Sequence, residues 1–248
     1  MNLEIDMGNT RLKWRLWRGN KIIEHNSAKI AGINEAFNLF QIKGLDKLSI
    51  VSVSSDKLVA SICESARQLN PGLRIFIAKT QLFFGGVTCG YEDPSQLGAD
   101  RWLAYVQAFN LCQCRCCVID IGTAITVDWV SDKGKHLGGL IVPGYKTMED
   151  ALLAGTKKVR YNMQKTTNVE FTGSNTFECV RYGVDKMVYS FVRYVLYEHP
   201  FTQNSKVFIT GGGAKNLISS LLKNYEYAPS LVLDGLRLVS LQYFKGLK

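Results

Sequence analysis

The sequence has no uninterrupted apolar stretch of about 18 residues, the length a membrane-crossing helix needs, so no membrane partner is expected. Glu4 and Asp6 interrupt the opening residues, where a secretory leader would need an apolar core, and a cytoplasmic location is expected. Histidine is scarce: His25, His136 and His199 are scattered through the chain, which leaves a histidine-based site little support. There is no G-x-x-x-x-G-K-[ST] loop and no G-x-G-x-x-G after a first strand, so neither a P-loop nor a Rossmann nucleotide site is expected. No low-complexity linker divides the chain. The cysteines number seven, an odd count that fits a reducing compartment better than a disulfide framework. Cys112, Cys114, Cys116 and Cys117 cluster, but the two separated Cys-x-x-Cys pairs of a common zinc site are missing, so oxidation-prone thiols are expected rather than a metal.

Hydrophobic residues make up 46% of the 248 and charged residues 21%, which excludes a disordered, collagen-like or coiled-coil chain. That length suffices for a sizeable core, as one large domain or two smaller ones. The net charge of +9 attracts anions, whether nucleic acid, membrane or phosphorylated metabolite, without choosing among them. The basic residues are spread along the chain and no helix-turn-helix or zinc module is apparent, so no nucleic-acid partner is expected.

Apolar patterning predicts strands at Leu3 to Met7, Arg11 to Trp17, Lys21 to Glu24, Leu48 to Val53 and Leu73 to Ile77. Helical segments flank the fourth, one of them near Lys57 to Leu69; a loop of roughly 20 residues follows the fifth strand, and a helix opens at Gly98. The order then restarts with strands at Cys117 to Ile121, Ile125 to Val130 and His136 to Val142. Helices follow at Lys146 to Leu153 and Thr176 to Glu198, then a strand at Val207 to Thr210, a helix after Gly213, a strand near Leu231 to Leu233 and a last helix. Both halves read βββαβαβα. Asp6-Met7-Gly8 returns as Asp120-Ile121-Gly122, each between two strands. The expectation is an α/β chain of two duplicated halves, 1–113 and 114–248, facing across a nucleotide cleft.

Chemistry concentrates at the turns. Glycine lets backbone approach a phosphate, and the small polar residues of Asp6-x-Gly8-Asn9-Thr10 offer N–H and hydroxyl groups to its oxygens. Asp6 can hold magnesium directly or through water, and Lys13 can add a point charge. The same turn also reads as a plain hairpin with Gly8 and Asn9 at positive φ. Asp120-x-Gly122-Thr123 is its second copy. Gly211-Gly212-Gly213 follows a strand and opens a helix, a third place for an anion. Asp100 and Arg101 lie in a first helical turn, where an aspartate also complements the helix dipole. Asn175-x-x-Glu178 has capping-box spacing beside Thr176, which could itself be a cap.

Taken together, the first turn with Lys13, the stretch Tyr91 to Arg101, the run Asp120 to Asp128, Gly138-Gly139 with Pro143-Gly144, and Thr176 resemble the acetate kinase, sugar kinase, Hsp70 and actin superfamily. The match is closer to the type III pantothenate kinases, which include Bvg accessory factor proteins. It spans essentially the whole chain, and Gly98-Ala99-Asp100-Arg101 with the two aspartate turns is its most specific part. The resemblance implies two ribonuclease-H-like, actin-like ATPase halves and ATP-dependent phosphorylation of pantothenate, the first step of coenzyme A biosynthesis. It implies that Asp6, Met7, Gly8, Asn9, Thr10, Arg11, Leu12 and Lys13 hold ATP phosphates and that Thr123 also faces ATP. Tyr91, Gly98, Ala99, Asp100, Arg101 and Thr176 would form the pantothenate site, with Asp100 the proton acceptor. Asp120 would bind a monovalent cation, potassium or ammonium, while Mg2+ accompanies ATP. A homodimer is implied as well. The rival readings are a nucleotide-binding transcriptional accessory factor without kinase activity, or another small-molecule kinase of the superfamily.

Overall fold

The computed structural model describes residues 1–29, 42–156, 172–218 and 225–246. The helix expected ahead of Leu48 falls on residues 30–41, outside the described residues. The chain opens on β1 (Asn2–Met7), β2 (Arg11–Arg18) and β3 (Lys21–Lys29), paired antiparallel in succession. β4 (Lys47–Ser52) adds to β1 in parallel. A parallel neighbour requires a crossover, and α1 (Asp56–Leu69) supplies it before β5 (Arg74–Ile77) joins β4. A small hairpin, β6 (Phe83–Phe84) and β7 (Val87–Thr88), leads to a short 3-10 turn and then α2 (Ala99–Cys112).

The second half repeats the plan with β8 (Cys116–Ile121), β9 (Ala124–Val130), β10 (His136–Pro143), α3 (Tyr145–Gly155), α4 (Thr176–Tyr197), β11 (Lys206–Thr210), α5 (Ala214–Ile218), β12 (Glu226–Tyr227) and α6 (Leu231–Gly246). The two five-stranded sheets have matching orders, β3-β2-β1-β4-β5 and β10-β9-β8-β11-β12. This is the duplicated ribonuclease-H-like fold expected from the sequence.

The chain forms two compact units. One comprises Met1–Gln113, Val130–Gly138 and Ser230–Lys248; the other comprises Cys114–Trp129 and Gly139–Pro229. In the first, Leu3, Ile5 and Met7 alternate along β1 into a core shared with Leu48 and Ile50 of β4 and Val59, Ile62 and Ala66 of α1. α1 forms because those apolar positions recur every three or four residues, and because the Ser55 side chain caps its start by accepting from the Leu58 amide at 3.4 Å. Each fully buried Ile or Leu contributes about 1.5–3 kcal/mol.

The opposite face of β1 buries Glu4, which is 0% exposed. Arg15 lies across from it in register and donates from Nε at 3.0 Å. Trp17 Nε1 donates at 2.9 Å and Arg237 Nη1 of α6 at 3.2 Å, while Arg15 also pairs with Asp234. A buried carboxylate is tolerated only with such partners. The network ties α6 to β1 and β2.

Two local expectations fail. Leu231 to Leu233 is the first turn of α6, and the strand is Glu226–Tyr227 instead. A short apolar run has no period of its own. Only its continuation through buried Leu236, Val239, Ser240 and Phe244 at helical spacing makes it a helix. The long loop after β5 contains the β6–β7 hairpin, turned by Gly85 and Gly86 at φ 59° and 81°.

Candidate functional site

The first turn closes where β1 ends. The Gly8 amide donates to the Arg11 carbonyl at 3.0 Å, and Asn9, Thr10 and Arg11 are exposed. Neither Gly8 nor Asn9 has a positive φ, so the plain mirror-image hairpin is not what forms here. Met7 and Leu12 point their side chains into the core, and only their backbone can face a ligand. Asp6 and Lys13 are cross-strand partners, with Nζ 3.9 Å from Oδ2. The turn thus presents backbone, a hydroxyl and a lysine at the carboxyl end of a central strand, where open α/β sheets bind ligands.

The second turn is one residue shorter, running Gly122–Thr123 between β8 and β9. Gly122 N donates to Ala124 O at 3.0 Å. The start of α3 braces the turn, for the Thr123 carbonyl accepts from Gly144 N at 2.9 Å and Thr147 Oγ1 at 2.6 Å. Thr123 itself stays exposed. Asp120 ends β8 opposite Thr210 of β11. The chain then turns through Gly211 at φ 91°, where an added Cβ would run into the Asp120 carboxylate and the Ile121 carbonyl. A glycine is required there twice over, for conformation and for space. The braces from Gly144 and Thr147 were missed in the sequence. Pro143-Gly144 read only as punctuation, and no spacing rule links it to a turn 20 residues earlier.

The stretch from Tyr91 converges on the start of α2. Asp93 caps the 3-10 turn Pro94–Gln96, accepting from Ser95 N at 2.9 Å and Ser95 Oγ at 2.7 Å, and these bonds hold its carboxyl below the usual range. Leu97 is buried, and its carbonyl accepts from Thr80 Oγ1 at 2.7 Å. Gly98 is the cap of α2, and a Cβ on it would stand 2.6 Å from Asp100 Oδ1. The missing side chain is therefore the space that the Asp100 carboxylate occupies. Oδ1 accepts from the Arg101 amide at 2.8 Å. Arg101 is 8% exposed and donates from Nη1 to the Tyr91 hydroxyl at 3.1 Å. Tyr91, Gly98, Ala99, Asp100 and Arg101 are thus brought together, a carboxylate beside a guanidinium at one helix start.

Thr176 is the first residue of α4 and is exposed. Capping falls to Asn175, whose Oδ1 accepts from Glu178 N at 3.0 Å. Glu178 accepts from Ser174 N at 2.8 Å and Ser174 Oγ at 2.7 Å, which holds its carboxyl down. The Thr176 hydroxyl has no capping duty, so the cap reading moves one residue back.

Among the described residues no group of three or more His, Cys, Asp or Glu side chains could enclose a metal ion. That fits a magnesium ion carried mainly by phosphates and water, with one carboxylate from the protein. In the cysteine cluster, Cys116 and Cys117 are buried in β8, and burial pushes the Cys117 thiol up. No helix among the described residues is long and apolar enough to cross a membrane.

A family model described as type III pantothenate kinase matches residues 2–198. A type III pantothenate kinase from Hahella chejuensis is 36% identical over 238 residues, covering 96% of this chain and 96% of its own. Among solved structures, one from Campylobacter jejuni, described as a conserved candidate transcriptional activator of the Baf family, aligns with TM-score 0.59. It is 19% identical and covers 98% of this chain and 99% of that chain. The activator of 2-hydroxyisocaproyl-CoA dehydratase from Clostridium difficile, solved with ADPNP, aligns with TM-score 0.54 and 12% identity, covering 99% of this chain and 96% of that chain. At such identities the two structures speak for the fold alone.

Proposed function

This chain belongs to the type III pantothenate kinase family, and from that premise we propose how its residues divide the work. The chain is an ATP-dependent phosphotransferase that phosphorylates pantothenate, the entry to coenzyme A biosynthesis. Phosphoryl transfer asks a protein chiefly for positioning and charge neutralisation. A divalent metal on the triphosphate supplies part of that neutralisation when bound, and Asp6 is the residue suited to hold it.

In our reading the backbone from Asp6 to Lys13 cradles ATP phosphates, with Lys13 as a point charge. Thr123 adds a hydroxyl on the ATP side. Arg101 binds the pantothenate carboxylate, for which its planar fork is suited, and Tyr91 steadies the guanidinium. Gly98 and Ala99 line that substrate, and Thr176 offers it a hydroxyl. Asp100 takes the proton of the primary hydroxyl as the bond to phosphorus forms. Asp120 holds a monovalent cation, potassium or ammonium, which offsets phosphate charge. The protein works as a cytoplasmic homodimer.

The observation that carries this reading is the Asp100 carboxylate lodged in the space left by Gly98, one residue from the guanidinium bonded to Tyr91. The test is ADP release from ATP with and without pantothenate, in potassium and in sodium, with light scattering for the assembly. Release that depends on pantothenate and rises with potassium is expected. Release indifferent to pantothenate would return the accessory-factor reading, equal rates in both salts would remove the cation from Asp120, and a fully active monomer would remove the dimer.

A further inference from the structure

We propose that His136 is a positioning residue for pantothenate binding, acting through Tyr91. The proposal rests on the assignment of Tyr91 and Arg101 to the pantothenate site. His136 begins β10 and is 1% exposed. Its ring lies nearly parallel to that of Tyr105, with centroids 4.5 Å apart and planes 11° apart. On the other side stands Tyr91, at 6.0 Å and 23°. Tyr105 belongs to α2, the helix whose first turn carries Asp100 and Arg101. The Arg101 guanidinium carbon is 5.9 Å from the centroid of the Tyr91 ring. Tyr105, His136 and Tyr91 therefore form a stack of three rings, buried at Tyr105 and meeting Arg101 at Tyr91.

The backbone makes the same connection. The Thr88 amide donates to the Gly134 carbonyl at 2.9 Å, and Thr88 bridges to Lys135. A Cβ on Gly90 would run into the His136 carbonyl, so the chain passes His136 one residue before Tyr91 with no room for a side chain. Residues 88–105 and 130–138 lie in one compact unit. The β9–β10 turn thus forms a floor under the strand exit that delivers Tyr91. A stacked ring restricts the tyrosine to few orientations, and a hydroxyl held in place keeps the Arg101 fork aimed before substrate arrives. The site then loses less freedom on binding.

The test compares His136→Leu with His136→Phe, which keeps an aromatic face. His136→Leu is expected to raise the KM for pantothenate about three- to tenfold, as the loss of one aromatic stack would. The KM for ATP should stay within about twofold, since uniform binding is lost on one substrate only. His136→Phe should return the pantothenate KM toward the parent value. Should His136→Leu not fold, His136→Met, flexible and of similar bulk, carries the same comparison. An unchanged pantothenate KM in the folded non-aromatic variant, both KM values rising together, or a His136→Phe enzyme as impaired as His136→Leu would overturn the proposal. Arg101→Lys separates the two levels of the argument. If it leaves the pantothenate KM unchanged, the site assignment itself fails. If it raises that KM while His136→Leu does not, only the role of His136 falls.

Discussion

The two aspartate turns stand on sheets of the same strand order, yet they are furnished for opposite charges. Asp6 faces Lys13 at 3.9 Å, and the three residues Gly8 to Thr10 leave an open loop of backbone and hydroxyl. Asp120 is backed by the Gly211 turn and the Ile121 carbonyl, and its shorter loop is clamped by Gly144 and Thr147. A carboxylate beside a lysine leaves room for phosphate oxygens. A carboxylate among carbonyl oxygens suits a cation. Duplication preserved the hydrogen-bonded scaffold, and the residues one position away from each aspartate diverged. The transfer chemistry sits elsewhere again, at the start of α2.

The largest expected effect isolates that chemistry from both turns. Asp100→Asn keeps shape and removes basicity, so kcat should fall about 10²–10⁴-fold with nucleotide affinity little changed. A folded Asp100→Asn enzyme with near-normal kcat would reduce the residue to a partner of the helix dipole, worth about 0.3–1 kcal/mol of stability. Next comes the cation. Asp120→Asn should bring turnover in potassium down to that in sodium, whereas Asp6→Asn should weaken ATP binding and leave any preference for potassium in place. Identical salt profiles for the two variants would erase the distinction between the turns.

A smaller effect concerns backbone. Gly211→Ala forces a Cβ onto a positive φ and into Asp120, and should cost about 1–3 kcal/mol in urea denaturation. Gly8→Ala meets only the Arg11 carbonyl at 3.2 Å without a positive φ, and should cost about 1 kcal/mol or less. Equal losses would mean the two turns are equally tight.

The smallest effect is a pH dependence outside the site. His199 stacks on Trp129 at 4.1 Å, and burial lowers its pKa. The folded state thus prefers the neutral ring, and this contribution is present above the ordinary histidine value and lost as pH falls through it. Tm should drop between about pH 7.5 and 5.5, less so in His199→Phe, given an unperturbed value near 6.5. A drop of the same size in both proteins would remove His199 from the account.

Much of this was legible from residue order. β1 and α1 announce themselves because alternation and helical spacing are properties of a few neighbouring residues, set by backbone geometry. The repeat of Asp6-x-Gly8 at Asp120-x-Gly122 exposed the duplication, and the Gly98 to Arg101 run singled out the start of α2. Leu231 to Leu233 misled because three apolar residues satisfy either period. His136 was set aside because nothing near it in the sequence names Tyr91 or Tyr105 as its neighbours.

By itself, then, the sequence determined the strand order, the two turns and the family, since each follows from local periodicity or a contiguous motif. Tertiary structure alone decided that α6 joins the first sheet through Arg237 and Asp234, that Gly144 and Thr147 brace Thr123, and that three rings stack beneath Arg101. Those contacts join residues from 20 to more than 200 positions apart. They arise from burying surfaces against one another, and burial is specified by the whole packed fold rather than by any segment within it.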